Sequence, residues 1–343
     1  MPFLIGLVVA IAIATGVVVT QTYNTAEPAS LVSVVAIKNS TQEPAVNTAT
    51  ALAAPDPLSL PALFEYVPTG RALKLGEIQS DTSSYTRYTI SYLSDDLTIS
   101  GILNIPKGAG PFPVLFLNHG YIDQAVYTNG RGLRREQDYF ARHGFAVLHS
   151  DYRCHAQSDC PTENRLAQRL GYVRDVINAV AAVKNSGDPR LSTTNFGMLG
   201  HSMGGGVTQR LVVSQPRLIS AAVLYAPVSM DERDSFRRYT VQRPAEAEEV
   251  LSTYGSLESN PIFWDNLSAK TFVDRIAVPL LYFQGTNDDS VDSAWTDESI
   301  ALLRTKNKAV EYVVYDDQPH EFTTTWTDFM ARSAAFFQDH LTK

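Results

Sequence analysis

The rhythm of apolar and polar positions along the chain changes near residue 113. Before that point, Tyr85–Tyr92 and Leu97–Ile105 alternate between apolar and polar residues on either side of a polar turn, Ser94-Asp95-Asp96. This pattern predicts an antiparallel hairpin at the edge of a sheet. From Pro113 onward, short apolar runs alternate with longer segments of helical periodicity. The second pattern predicts an α/β protein with a mostly parallel central sheet and helices on both faces.

Six apolar runs are the predicted strands of this sheet: Val114–Asn118, Phe145–Ser150, Phe196–His201, Ala221–Tyr225, Leu280–Gln284 and Val310–Tyr315. The predicted helices are Leu133–His143, Asn164–Lys184, Met203–Ser214, Ala294–Arg304 and Thr327–Leu341. Between the fourth and fifth strands the alternation breaks, and the stretch is polar and helix-like. We therefore expect a small cap insertion at about residues 230–278.

The pentapeptide Gly200-His201-Ser202-Met203-Gly204 connects the third of these strands to a helix. It matches the G-x-S-x-G nucleophile elbow, in which a sharp turn exposes the serine hydroxyl at the carboxyl end of the sheet. Glycines flank the serine because a side chain there would collide with neighbouring backbone. A glycine-rich turn without chemistry is the alternative, but a strand before the motif and a helix after it favour the elbow. The motif predicts an α/β-hydrolase fold, in which an insertion at the cap's position covers the active site.

A serine hydroxyl is a weak nucleophile at neutral pH, so it needs a base, and the base needs an orienting acid. In α/β-hydrolases these follow in the order Ser, Asp, His. Of the seven histidines, only His320 and His340 lie beyond the elbow. His340 falls in the amphipathic segment Trp326–Leu341, where a solvated helix residue is expected. His320 follows the last predicted strand and is the predicted base.

The acid is expected on the loop after the preceding strand, which reads Gly285-Thr286-Asn287-Asp288-Asp289. Asp288 stands three residues after the glycine, which is the usual spacing, and it is the predicted acid. For Asp289 we expect a solvated or helix-capping carboxylate.

Two backbone N–H groups are expected to stabilise the negative charge that acyl transfer builds on the carbonyl oxygen. One belongs to Met203, the residue after the serine. The other is predicted at Tyr121, in the loop Asn118-His119-Gly120-Tyr121 after the first parallel strand. His119 and His201 are interpreted as structural residues. This chemistry requires no metal and no organic cofactor.

The only two cysteines, Cys154 and Cys160, close a short loop. In an exported chain a disulfide is favoured over two free thiols. A metal site formed by Cys154, His155 and Cys160 is the alternative, but it lacks a second cluster of ligands.

The first 22 residues contain an uncharged, almost wholly apolar run, Phe3–Thr20. It predicts a secretory signal peptide or an uncleaved membrane anchor, and a buried core helix is the less favoured alternative. Residues 23–57, rich in Ala, Thr, Ser and Pro, are interpreted as a disordered linker, and residues 58–343 as the catalytic domain. We therefore expect a secreted or membrane-anchored protein with its catalytic domain outside the cytoplasm. A net charge of −8 without a basic cluster argues against nucleic acid as a partner.

Five segments carry a family resemblance: Asn118-His119-Gly120-Tyr121, Gly144–Arg153, the elbow, Gly285-Thr286-Asn287-Asp288 and Pro319-His320-Glu321-Phe322. With them the chain, from about Tyr85 to the C-terminus, resembles the catalytic domain of the prolyl oligopeptidase family. By that resemblance Ser202, Asp288 and His320 match the catalytic triad. Cys154 stands where the family usually has glycine, and the region before Tyr85 is too short for the β-propeller that helps the family's peptidases to select peptides.

These features predict a serine hydrolase that cleaves small acyl esters through an acyl-enzyme intermediate. A serine exopeptidase acting on short peptides is the alternative, and a non-catalytic surface binding protein is a third reading, since fold does not fix function. The predicted cap carries four arginines that are either solvated or available to a substrate carboxylate, namely Arg233, Arg237, Arg238 and Arg243.

Overall fold

The computed structural model describes residues 55–71 and 73–341. The predicted signal peptide or anchor at residues 1–22, and nearly all of the predicted linker at 23–57, lie outside the described residues. Within the described ranges, no helix has both the length and the apolar composition that crossing a bilayer requires.

A single nine-stranded sheet runs through the described part of the chain, with the order β1-β2-β3-β5-β4-β6-β7-β8-β9. Its strands are β1 (Lys74–Asp81), β2 (Tyr85–Ser94), β3 (Leu97–Pro106), β4 (Phe112–Asn118), β5 (Ala146–Ser150), β6 (Leu191–His201), β7 (Ala221–Tyr225), β8 (Leu280–Gly285) and β9 (Val310–Tyr315).

The strands after β3 are parallel to one another, whereas β1, β2 and β3 are antiparallel, as is the pair of β3 with β5. The predicted hairpin is present, with a register that runs from Tyr85 opposite Pro106 to Ser94 opposite Leu97. It does not form the edge of the sheet, because β1 pairs with the outer side of β2. The sequence did not predict β1, since nearly all of its residues are exposed and it lacks an apolar rhythm.

Helices cover both faces of the sheet. On one face α2 and α3 pack against the larger apolar core through residues such as Val176 and Leu211. On the other face α1 and α8 enclose a second core through residues such as Phe140 and Phe337. The helices are α1 (Arg134–Arg142), α2 (Arg165–Lys184), α3 (Met203–Ser214), α4 (Glu232–Ser235), α5 (Pro244–Tyr254), α6 (Pro261–Leu267), α7 (Ser293–Thr305) and α8 (Trp326–Leu341).

Between β7 and β8 the chain forms a helical cap from α4, a π-helical turn at Phe236–Thr240, α5 and α6. A small apolar core of its own, centred on the fully buried Trp264, joins the cap to Leu166 and Leu170 of α2. This packing on α2 holds the cap in position above the carboxyl ends of the strands.

The two ends of the cap are bonded to each other, and we call residues 230–232 and 268–270 the neck. The Ser268 hydroxyl donates to the carboxylate of Asp231 at 3.0 Å and accepts from the N–H of Glu232 at 3.0 Å. The N–H of Lys270 donates to the carbonyl of Met230 at 3.2 Å. The cap therefore leaves and rejoins the body of the protein at one place.

Candidate active site

Ser202 occupies the sharp turn between β6 and α3. Its φ of 56° and ψ of −121° are strained for a residue with a side chain. The turn is held by the N–H of Ser202, which donates to the carbonyl of Tyr225 on β7 at 3.0 Å. A Cβ on Gly204 would lie 2.0 Å from the carbonyl oxygen of Asn118, and one on Gly200 would lie 2.3 Å from that of Gly204. Both flanking positions thus require glycine, as the motif predicts.

The loop after β8 brings Asp288 to His320. The Oδ2 of Asp288 lies 2.8 Å from Nδ1 of the imidazole. Its other oxygen accepts the backbone N–H groups of Ser290 at 3.0 Å and Val291 at 2.9 Å, and Gln284 donates to Oδ2 at 3.0 Å. A carboxylate with so many donors is fixed in one orientation, and it fixes the imidazole in turn.

The Asp288 side chain has no exposed surface. Burial by itself would raise the pKa of this carboxyl, but the hydrogen bond and charge of His320 and the two backbone N–H groups outweigh burial and lower the pKa below its ordinary value. The carboxylate therefore stays ionised at neutral pH. It holds the proton of His320 on Nδ1 and leaves Nε2 available as a base.

Asp289 has a different environment. Its carboxylate accepts the hydroxyl of Ser290 at 3.0 Å, and its backbone carbonyl accepts from Arg238 of the cap at 3.0 Å. Of the two neighbouring aspartates, the structure thus brings Asp288 to the imidazole, as predicted. His340, the histidine set aside, is an exposed residue on α8.

The predicted oxyanion loop lies against the elbow. A Cβ on Gly120 would lie 3.1 Å from the Cβ of Ser202. The ring of His119 contacts the carbonyl oxygen of Gly120 through Nδ1 at 2.7 Å. Because the carbonyl and the N–H of one planar peptide point in opposite directions, a bond that holds this carbonyl also sets the direction of the Tyr121 N–H. Met203 opens α3, where the first N–H groups have no partner within the helix.

His119 and His201 are both buried beneath the reacting groups. The His119 ring stacks on Tyr152 at 4.4 Å, and the His201 ring lies 4.6 Å from the ring of His320. Burial, together with a smaller contribution from the neighbouring His155 and His320 respectively, lowers the pKa of each to about 3. Both rings are therefore neutral: His201 packs against the base, and His119 packs on Tyr152 and also holds the Gly120 carbonyl.

A cavity of about 530 Å³ opens beside Ser202 and His320 and extends beneath the cap. A volume of this size suits a small molecule or a short peptide. Its apolar wall consists of side chains from the body of the protein, and Tyr239, Thr240 and Arg243 line the side that belongs to the cap. The aliphatic residues of this wall are Ile122, Leu133, Leu170, Met203, Val207 and Val228.

Charged side chains also line this cavity. Of the four cap arginines considered from the sequence, only Arg243 is among the lining residues. Arg233 pairs with Asp265 at 2.8 Å, Arg237 lies 3.7 Å from an acidic neighbour, and Arg238 binds the backbone of the Asp288 loop. The lining arginines are Arg134, Arg135, Arg169, Arg210 and Arg243, and the lining glutamates are Glu136, Glu232 and Glu321.

Cys154 and Cys160 form a disulfide. The loop that it closes is bound to β3, since Asp159 accepts the N–H of Thr98 at 2.7 Å and Ser158 accepts that of Ser100 at 2.9 Å. The bond removes both thiols as metal ligands. Across residues 55–71 and 73–341, no three His, Cys, Asp or Glu side chains are arranged to hold a metal ion.

Sequence reasoning missed Asp151, a fully buried carboxylate at the end of β5. It accepts hydrogen bonds from the hydroxyls of Ser100 at 2.6 Å and Tyr127 at 2.8 Å, and from Asn129 and the N–H of Gly130 at 2.6 and 2.8 Å. These bonds tie the segment before α1 to β3, behind the oxyanion loop. Its position directly after a buried strand was a local signal for a functional carboxylate. Its partners could not be read from the sequence, because they lie 21 to 51 residues away.

The described fold has relatives among known proteins. Esterase EstD of Thermotoga maritima is 24% identical over 260 residues, which are 67% of this chain and 60% of EstD. An acetyl xylan esterase from Paenibacillus sp. R4 superposes with a TM-score of 0.63 at 20% identity, over 82% of this chain and 92% of that one. A puromycin-hydrolyzing peptidase of Mycobacterium tuberculosis superposes with a TM-score of 0.61 at 19% identity, over 77% of this chain and 41% of that one.

The structural neighbours confirm the predicted α/β-hydrolase fold, and they include both esterases and peptidases. The chain spans 60% of the length of EstD and 41% of that of the peptidase. The model of the prolyl oligopeptidase family matches residues 131–343, which are more than half of the chain and contain the elbow, Asp288 and His320. The motifs had indicated this resemblance, and the match confirms it: the chain belongs to the prolyl oligopeptidase family.

Proposed function

We propose that this protein is a serine hydrolase that cleaves ester bonds of small acyl substrates. The observation that carries the proposal is the pair formed by the buried Asp288 carboxylate and His320, with 2.8 Å between Oδ2 and Nδ1, at a cavity lined by both His320 and the strained elbow serine. A buried carboxylate, an oriented imidazole and a hydroxyl on the cavity wall are the parts that acyl transfer through a covalent intermediate requires.

In the first half of the reaction, His320 accepts the hydroxyl proton of Ser202 as Oγ attacks the ester carbonyl. Asp288 stabilises the imidazolium, and the N–H groups of Tyr121 and Met203 bind the oxyanion. The tetrahedral intermediate then collapses, and the alcohol leaves with the proton from His320. In the second half, His320 removes a proton from water as the water oxygen attacks the acyl-enzyme. The second tetrahedral intermediate then collapses, the acid is released, and His320 returns the proton to Oγ of Ser202.

Two comparisons support an ester substrate over a peptide. EstD is an esterase, and the Paenibacillus acetyl xylan esterase has 92% of its length covered by this chain. A serine peptidase acting on short peptides is the second candidate, because the family and the Mycobacterium tuberculosis neighbour include peptidases.

The nucleophile is tested by labelling with a fluorophosphonate, which reacts with activated serines. The wild type should be labelled once, and Ser202→Ala should abolish labelling. Ser235→Ala is a matched control, because Ser235 also lines the cavity and its variant should be labelled like the wild type. Labelling that survives in Ser202→Ala would place the nucleophile elsewhere and overturn the mechanism.

Ester and amide cleavage are separated by comparing kcat/KM for an acetyl ester and an acetyl amide with the same leaving-group ring. We expect the ester to be favoured by at least about 100-fold, which corresponds to roughly 2.7 kcal/mol of transition-state stabilisation. An amide is harder to cleave because its leaving amine must be protonated as it departs. Comparable values would make the peptidase the better conclusion.

We also propose that the catalytic domain works outside the cytoplasm, with residues 1–22 as signal peptide or membrane anchor. The Cys154–Cys160 disulfide supports this location, because such bonds persist mainly in oxidising compartments. Cells that express the full chain would be treated with an alkylating agent before lysis and then fractionated. A bridged peptide in an extracytoplasmic or membrane fraction is expected, and two alkylated thiols in the cytoplasm would contradict the location.

A further inference from the structure

Two cavity-lining arginines share one carboxylate. Glu246 on α5 accepts from Arg169 of α2 at 2.9 Å and lies 3.5 Å from Arg243. Both arginines line the cavity, whereas Glu246 stands behind them and does not. Two guanidinium groups against one carboxylate leave one positive charge, and that charge faces the space where a substrate would lie.

The geometry identifies Arg243 as the exposed member of this group. Its side chain is 42% exposed, whereas that of Glu246 is 11% exposed. Arg169 is engaged by Glu246 and by the hydroxyl of Thr240 at 3.2 Å. Arg243 makes two long polar contacts, both through Nη1: 3.5 Å to the Glu246 carboxylate and 3.5 Å to the Tyr239 carbonyl. Among the described residues neither Nε nor Nη2 has a hydrogen-bond partner, so that edge of its donor fork is open to a ligand.

Arg243 also lies beside the predicted oxyanion loop. Its guanidinium carbon is 5.2 Å from the centre of the Tyr121 ring, a cation–π contact between cap and body. The residue before Tyr121 is Gly120, on which a Cβ would lie 3.1 Å from the Cβ of Ser202. The Arg243 guanidinium therefore lines the same cavity as Ser202 and contacts the oxyanion loop through the ring of Tyr121.

We propose that this cavity selects esters that carry a carboxylate, and that Arg243 binds the carboxylate. A guanidinium binds a carboxylate with two parallel hydrogen bonds, and the interaction strengthens where water is partly excluded. The protein as a whole carries a net charge of −8, so the local excess of positive charge is not a general property of its surface. The inference rests on the proposed ester hydrolysis and names its substrate class.

The proposal is tested first with matched esters on both sides of the scissile bond. On the acyl side, the monoester of adipic acid with 4-methylumbelliferone is compared with its methyl-capped diester. On the alcohol side, the acetyl ester of 4-hydroxybenzoate is compared with that of 4-hydroxybenzamide. We expect at least about a tenfold higher kcat/KM for the charged member of one pair, which identifies the side that Arg243 contacts. No preference in either pair would overturn the proposal.

Two substitutions should move this preference in opposite directions. Arg243→Gln should reduce the ratio of charged to neutral kcat/KM by at least about tenfold. Glu246→Gln should raise it, because the carboxylate that competes for Arg243 is gone. If the ion pairs were purely structural, each substitution would lower kcat/KM for the charged and the neutral ester together and leave their ratio unchanged. Arg237→Gln is the control, since Arg237 lies on the cap outside the cavity lining and its loss should leave the ratio unchanged.

A binding measurement separates this inference from the proposed function. In the Ser202→Ala variant, which leaves an ester intact, the Kd of monomethyl adipate is compared with that of dimethyl adipate by calorimetry. Tighter binding of the charged ester, lost on adding Arg243→Gln, is expected even if the wild type cleaves neither compound. Tighter binding of the charged ester, combined with no ester cleavage by the wild type, would reject ester hydrolysis and keep the anion site. Equal Kd values would overturn the anion site whatever the enzyme hydrolyses.

Discussion

At the scale of single residues, the site depends on one peptide bond and one carboxylate. The carboxylate of Asp288 orients His320, and the ring of His119 holds the peptide between Gly120 and Tyr121. Neither Asp288 nor His119 is among the residues that line the cavity. Both act by fixing the direction of a group that lines it.

Replacing Asp288 by Asn should reduce kcat by roughly 10⁴-fold, the magnitude known from a serine protease, because the amide favours the wrong tautomer of His320. Asp289→Asn is the matched control, since its carboxylate is bonded to the Ser290 hydroxyl and not to the imidazole. Steady-state kinetics on one chromogenic ester would measure both variants. A larger loss in Asp289→Asn would refute the assignment of the acid.

Replacing His119 by Phe should lower kcat by about 10- to 100-fold with little change in KM, because the oxyanion forms only in the reaction. Phenylalanine keeps the stacking on Tyr152 but has no group that can hold the Gly120 carbonyl. His149→Phe is the control: its ring also stacks on His119, and neither of its nitrogens has a hydrogen-bond partner in the described part of the chain. Equal losses in the two variants would mean that His119 acts only by packing.

At the scale of secondary structure, the sequence predicted the six parallel strands and missed β1. Five of the parallel strands are largely buried apolar runs, and β9 is a run of Val and Tyr interrupted by one Glu, so their positions and order along the chain were readable. β1 has no buried residue and no apolar run, and it is held by pairing with β2, which leaves no mark in its own sequence. The order of the strands across the sheet also depends on contacts between distant segments.

The dependence on contacts between distant segments also explains which parts of the site could be predicted from the sequence. Ser202, Asp288 and His320 each follow a readable strand, and chain order gave their roles. The Asp151 network and the shared carboxylate of Glu246 join residues from separate elements, 77 residues apart in the case of Glu246 and Arg169. A single sequence carries no local signal for such pairs.

The loop closed by Cys154 and Cys160 gives a prediction at this scale. Replacing both cysteines by serine should lower the free energy of unfolding by about 2 kcal/mol, since a bridge over a loop this short removes a modest amount of chain entropy from the unfolded state. Urea unfolding of the double variant and of the wild type would measure the difference. Wild-type protein treated with a reductant should show a similar loss, and identical stability in all three samples would contradict the prediction.

At the scale of the whole molecule, buried histidines should make stability depend on pH. The pKa values of His119 and His201 are lowered to about 3 in the folded protein, chiefly by burial, whereas an unfolded histidine titrates near 6.5. The stabilisation is fully present above about pH 6.5. Below that pH the unfolded chain binds protons that the folded protein does not, so stability is lost as the pH falls toward 3.

We therefore expect the free energy of unfolding to fall by about 1.4 kcal/mol per pH unit for each such histidine below pH 6.5. Urea unfolding at pH 7, 6 and 5 would measure the slope. In His201→Phe one such histidine is gone, so the slope of unfolding free energy against pH should decrease by the contribution of that histidine, about 1.4 kcal/mol per pH unit. A free energy that stays constant between pH 6.5 and 5 would show that these rings do not remain neutral in the folded protein.

The closed neck has a consequence for engineering. Because the Ser268 hydroxyl joins Asp231 and Glu232, and the Lys270 amide joins Met230, the chain enters and leaves the cap through one short hydrogen-bonded junction. The elbow, the acid loop and the histidine loop all lie outside that junction, and the cap reaches the acid loop only through Arg238 and Tyr239, which donate to the backbone carbonyls of Asp289 and Ser290, among the hydrogen bonds of the described residues. The cap is thus a cassette: caps of other lengths can be inserted between the two halves of the neck, and one scaffold can be given a library of specificities as long as the replacement keeps the packing on α2 and these two bonds.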